Sequence, residues 1–80
     1  MREYRFTMDY AGTVVAKGVA SAAMVYEFQK TFIESIGPGG RTVSGGFVRL
    51  DELLDIVAGS FLSWVMMDAT NTRFAFRVES

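Results

Sequence analysis

The chain has 80 residues, half of them apolar and 14% aromatic, with eight Lys or Arg against nine Asp or Glu for a net charge of −1. It contains neither cysteine nor histidine, which excludes a disulfide scaffold, the usual zinc, haem and iron–sulfur ligand sets, and a Ser-His-Asp or Cys-His catalytic machine. Low hydrophobicity with high net charge, the signature of disorder, is not what this chain has.

A chain this short buries roughly 60–65% of its unfolded surface. Its mean hydropathy is +0.23. Either the core is dense, or an apolar patch is kept for self-association or a partner. The near-neutral charge gives no electrostatic reason for binding nucleic acid or an anionic membrane. No signal peptide is read at the N-terminus, and no run reaches the ~18 apolar residues of a membrane span. The expectation is one compact domain over 1–80, located in the cytoplasm and not associated with membrane.

Residues 2–10 alternate: Tyr4, Phe6, Met8 and Tyr10 against Glu3, Arg5, Thr7 and Asp9. Period two predicts a strand with one wet face. Ala11-Gly12 offers a turn, and the β-prone segment 13–19 returns as the second arm of a hairpin.

From residue 22 to 36 the period changes. Val25, Phe28, Phe32 and Ile36 recur at helical spacing, after Ser21 as N-cap and before Gly37-Pro38 as a stop. Glu27, Lys30 and Glu34 lie on the opposite face, spaced for ion pairing. Met24, Tyr26 and Ile33 widen the apolar arc, so this helix sits in a groove or contributes to an interface.

Residues 37–46 hold five glycines and a proline. Gly45-Gly46 separates Thr42-Val43-Ser44 from Phe47-Val48-Arg49 and predicts a tight hairpin. Asp51 is the expected N-cap of a helix of about two turns ending at Gly59. Segment 61–67 is a strongly apolar strand. Asp68-Ala69-Thr70-Asn71 is turn chemistry, and 72–79 alternates again, with Phe74, Phe76 and Val78 against Arg73, Ala75, Arg77 and Glu79.

The summed order is ββ-α-ββ-α-ββ. Alternating strands belong in an antiparallel sheet with one solvated face. The expected fold is α+β: a two-layer sandwich with one long and one short helix packed on one face of the sheet. The element order resembles that of the phosphocarrier proteins of the sugar-uptake system. That resemblance implies a phosphorylated histidine before the first helix. This chain has none, and element order alone transfers no function.

Motifs for chemistry are few. Asp51, Glu52 and Asp55 could hold a divalent cation, but acids at a helix start are the ordinary dipole arrangement. The glycine-rich segment with Arg41 is neither a phosphate-binding loop of the Gly-Lys-Ser type nor a dinucleotide fingerprint. It reads as a loop and a contact point for a protein partner. No catalytic residue, metal ligand or cofactor site is assigned, and no enzyme activity is expected.

Six of the eight basic residues are arginine. Arg5, Arg73 and Arg77 occupy the polar face of the first and last strands, and gather on one open face if those strands are neighbours. Arginine suits recognition of carboxylate or phosphate. In strand 61–67, Leu62, Trp64 and Met66 are expected to face the helices, leaving Phe61, Val65 and Met67 outward. Either that strand is covered on both sides or Val65 and Met67 belong to an interface. The expected function is a non-catalytic protein-binding module that acts by occupying a surface. Its partner-binding residues are Arg41, Val65, Met67, Arg5, Arg73 and Arg77. A small inhibitor made by a phage or mobile element against a host protein is one concrete form. A homodimeric adaptor is the alternative, and nucleic-acid binding through the arginine face ranks below both.

Overall fold

A computed structural model describes residues 2–80 of the chain. Five strands and two helices follow one another as β1 (Tyr4–Tyr10), β2 (Thr13–Ala20), α1 (Ala22–Ile36), β3 (Arg41–Gly45), α2 (Leu50–Asp55), β4 (Phe61–Met67) and β5 (Arg73–Glu79). All pairings are antiparallel, and the sheet order is β2-β1-β5-β4-β3. The first and last strands are therefore neighbours at the centre.

Period-two patterning does the sorting. Tyr4 and Met8 of β1, Trp64 of β4, and Phe74, Phe76 and Val78 of β5 are buried on the helix side. Trp64 stacks on Phe76 at 5.6 Å between ring centroids, and Phe32 of α1 meets both Trp64 and Phe74. The α+β two-layer sandwich is the observed architecture, with both helices on one face of the sheet.

Helix α1 has the ends its sequence dictates. The Ser21 hydroxyl accepts the Met24 N–H at 3.3 Å, and Gly37 closes the helix at φ 77°. The expected pairing of Lys30 with Glu27 and Glu34 does not form. Lys30 instead lies over the Tyr26 ring, itself edge-on to Phe47.

Two local expectations are corrected. Segment 47–49 is not a strand, so there are five strands rather than six and the order is ββ-α-β-α-ββ. Gly45-Gly46 is not a hairpin turn: β3 pairs with the distant β4 instead. The physical reason is Gln29, fully buried on α1. Its amide donates to the Val48 carbonyl at 2.8 Å and accepts the Val48 N–H at 2.9 Å. With both backbone groups satisfied, Val48 needs no strand partner. The second correction concerns α2. Arg49, not Asp51, holds the N-cap position, and the helix stops at Asp55, short of Gly59. Glu52 reaches back to accept the Arg49 N–H, while Asp51 sits inside the first turn and accepts the Glu52 N–H. The Tyr4 hydroxyl donates to the Leu53 carbonyl at 2.6 Å and ties α2 to β1.

Candidate functional site: an open basic sheet face

The helices cover one face of the sheet and leave the other open. Strand register fixes which side chains share that open face. Arg5 stands opposite Glu79, which stands opposite Phe61. Lys17, Thr7, Arg77 and Ser63 form the next row. Asp9, Ala75 and Val65 form the third, and Arg73, Met67 and Arg41 the fourth. Val65 and Met67 face outward with half-buried side chains, and no second layer covers them.

The arginines do not form one cluster. Glu79 lies between Arg5 at 3.3 Å and Arg77 at 3.5 Å, and it takes up much of their charge. Arg77 also stacks on Phe61, 3.8 Å from the ring centroid. Arg73 stands four residues further along β5, about 13 Å away. It enters no ion pair among the described residues. Its row neighbour across Met67 is Arg41. Arg41 donates to the Asn71 side chain and lies 3.6 Å from the Met67 sulfur. So the face has a corner at Arg5, Glu79 and Arg77 where ion pairs neutralise the charge, and a corner at Arg73, Met67 and Arg41 with no ion pair among the described residues, although Arg41 lies near enough to Asp68 to help lower its carboxyl. Between them the small Ala75 leaves a depression of about 200 Å³, bordered by Thr7, Asp9, Ser63 and Val65.

Charge is segregated between the layers. The five strands carry Arg5, Lys17, Arg41, Arg73 and Arg77 against Asp9 and Glu79. The two helices carry Glu27, Glu34, Asp51, Glu52 and Asp55 against Lys30. A chain of net charge −1 thus presents a sheet that is basic on balance and a helical side whose acids, apart from Asp51 and Glu52 paired with Arg49 at the α2 cap, are unpaired among the described residues. Sequence reading located the arginines but missed this polarity, because it weighed the strand charges without totalling the helix charges beside them.

The acidic trio at α2 is occupied by its own cap. Arg49 pairs with Asp51 at 3.0 Å and with Glu52 at 3.4 Å. The hydrogen bond from Arg49 holds the Asp51 carboxyl below its usual range, and the same contact raises the guanidinium. Asp68, at the β4–β5 turn, is lowered chiefly by its hydrogen bond from Thr70. These are local structural pairs and do not converge on a cleft.

One further surface had no counterpart among the expected site residues. A groove of about 630 Å³ runs between α1 and β1–β2, lined by Phe6, Met8, Val15, Ala16, Phe28, Thr31, Phe32 and Ser35. The width of the apolar arc on α1 was the signal for it.

No family model, curated protein or solved structure matches the chain. The likeness of element order to the phosphocarriers therefore carries no argument.

Proposed function

We propose that the protein is a non-catalytic binding module that docks the open face of its sheet onto an acidic, partly apolar surface of a partner protein. The observation that supports this reading is the balance of charge: five basic side chains share the uncovered face with Phe61, Val65 and Met67 against only Asp9 and Glu79, while five further acids lie on the helices. A basic rim around Met and aromatic side chains is the composition of a protein interface core with steering charges. Nucleic acid is the weaker reading. Sheets that read single strands present several free aromatics for stacking, and here the one aromatic ring of the open face among the described residues, Phe61, already carries Arg77. The module acts by covering a surface, as stoichiometric inhibitors and adaptors do.

The test is affinity capture with immobilised protein, identification of the captured protein, and titration of that purified partner. Wild type should bind it, with affinity falling as salt rises. The Met67→Glu and Arg73→Glu variants should each bind at least tenfold more weakly, a loss of about 1.4 kcal/mol. Undiminished binding by the double variant would refute the open face as the docking surface.

A further inference from the structure

The groove between α1 and β2 calls for an occupant of its own. Its walls are aromatic and aliphatic, and its two hydroxyls are already used. Thr31 donates to the Glu27 carbonyl at 3.2 Å, and Ser35 donates to the Phe32 carbonyl at 2.6 Å. No hydroxyl proton is left to donate, and two exposed acceptor oxygens are a thin set for orienting a small ligand, whereas small-molecule sites keep a few convergent polar groups for that purpose. The groove instead offers apolar surface at helical spacing. Phe28 and Phe32, with Thr31 and Ser35 beside them, line it across eight residues, about 10 Å of helix.

The rim of this groove is acidic. Glu27 and Glu34 flank the lining residue Thr31 at four residues before and three after, on the same stripe of α1. Both are exposed, and neither enters an ion pair among the described residues. The helix's one cation, Lys30, is turned away over Tyr26. On the opposite wall, Lys17 belongs to the open sheet face and not to the groove.

Three occupants fit this badly. A second copy laid antiparallel on α1 would set Glu27 of one chain beside Glu34 of the other, like charge on like. An added strand along β2 meets a register break between its pairings to Met8 and Asp9, where Val15 is left without a partner, and then Lys17. A bulge and a lysine are the devices by which edge strands resist further pairing. A fatty acid would bring its carboxylate toward two glutamates.

We propose that this groove docks a basic amphipathic helix of a partner protein, with apolar side chains at i, i+3 or i+4 and i+7 seated between α1 and β2 and flanking Lys or Arg set against Glu27 and Glu34. This is the helix-in-groove mode of recognition. It is independent of the open-face reading, since it uses the other side of the sheet.

The experiment titrates a synthetic leucine–lysine amphipathic peptide of about 14 residues into isotope-labelled protein and follows backbone amide shifts. A leucine–glutamate peptide of the same pattern, and laurate, are run beside it. The expected result is saturable binding of the lysine peptide, with shifts centred on Val15, Phe28, Thr31 and Ser35. Ala16→Trp, which fills the groove from a half-buried edge position, should abolish it. The pair Glu27→Lys and Glu34→Lys should weaken it roughly tenfold and improve binding of the glutamate peptide. Equal or tighter binding of the glutamate peptide to wild type would overturn the proposal. So would shifts confined to the open sheet face, tighter binding of laurate, or a dimer in sedimentation velocity that Ala16→Trp dissolves.

Discussion

Gln29 holds Val48 by both backbone groups, and its side-chain oxygen also accepts the Trp64 indole N–H at 2.7 Å. One buried amide thus joins α1, the segment before α2, and β4. Gln29→Leu keeps the bulk and removes all three partners at once. Leaving buried donors and acceptors unmet costs about 1–3 kcal/mol each. The expected loss is about 3–5 kcal/mol, a large part of the ~5–15 kcal/mol available to a domain. Chemical denaturation monitored by circular dichroism measures it. A loss below about 1 kcal/mol would mean that water replaces the amide. Gln29→Glu sharpens the test. Its carboxylate cannot donate to the Val48 carbonyl, and burial would raise its pKa. Its penalty relative to wild type should therefore shrink as pH falls and the carboxyl takes up the proton it needs to donate.

The same amide marks the limit of what could be read from the sequence. The two long hairpins and α1 were legible because period and punctuation agree: alternation in 4–10 and 73–79, helical spacing from Val25 to Ile36, and Ser21 and Gly37 at the ends. Phe47-Val48-Arg49 looked like a strand arm because its residues suit one. The competing bond comes from Gln29, nineteen positions upstream, and no local pattern announces a long-range side-chain clamp. The open face was half legible. Facing in β4 and β5, and the spacing of Arg73 from Arg77, follow from the sequence, but the meeting of Arg5 with Glu79 depends on the register between β1 and β5.

Gly45 is a second case in which a close approach replaced a turn. It has φ +68°, and a Cβ there would come 2.2 Å from the Ser63 carbonyl oxygen and 2.9 Å from the Trp64 Cα. Both obstacles are backbone of β4 and cannot swing aside. Gly45→Ala should force β3 off β4 and cost more than about 2 kcal/mol. At Gly46 an added Cβ meets nothing within 4 Å, so Gly46→Ala should stay within about 0.5 kcal/mol of wild type. Denaturation midpoints of the two variants settle the contrast. Equal effects would return the pair to the role of a simple flexible link.

Asp68 organises the β4–β5 turn with one oxygen, accepting from the Thr70 N–H, the Thr70 hydroxyl and the Thr72 N–H. The Thr70 hydroxyl is the leading cause of its lowered pKa, followed by the Thr72 N–H. A carboxyl depressed on folding contributes stability above its unfolded value, near 3.8, and loses it as pH falls through the folded value. Wild type should therefore exceed Asp68→Asn in stability at neutral pH, and the gap should close below about pH 4. Thermal unfolding of both proteins from pH 7 to pH 2 is the measurement. A gap that stays constant across that range would assign the turn's stability to geometry alone.

Val65 and Met67 decide whether the open face is a surface or a second core. Both are half-buried on a side of the sheet that no helix covers, and Met67 lies in a row between Arg73 and Arg41. A glutamate at 67 would find two guanidinium groups beside it, and a glutamate at 65 would border the depression at Ala75. Each substitution loses some apolar contact but buries no unpaired charge, so each should cost no more than about 1–2 kcal/mol. The Met67 change should be the milder, because of its arginine neighbours. Chemical denaturation gives the stabilities, and sedimentation velocity gives the mass of wild type and variants at low and high concentration. Folded, monomeric variants would show that both side chains are free for a partner. Unfolding of both would make them core, and the docking surface would then have to be sought elsewhere. A wild-type dimer that either glutamate dissociates would show the face to be covered by a second copy of the chain.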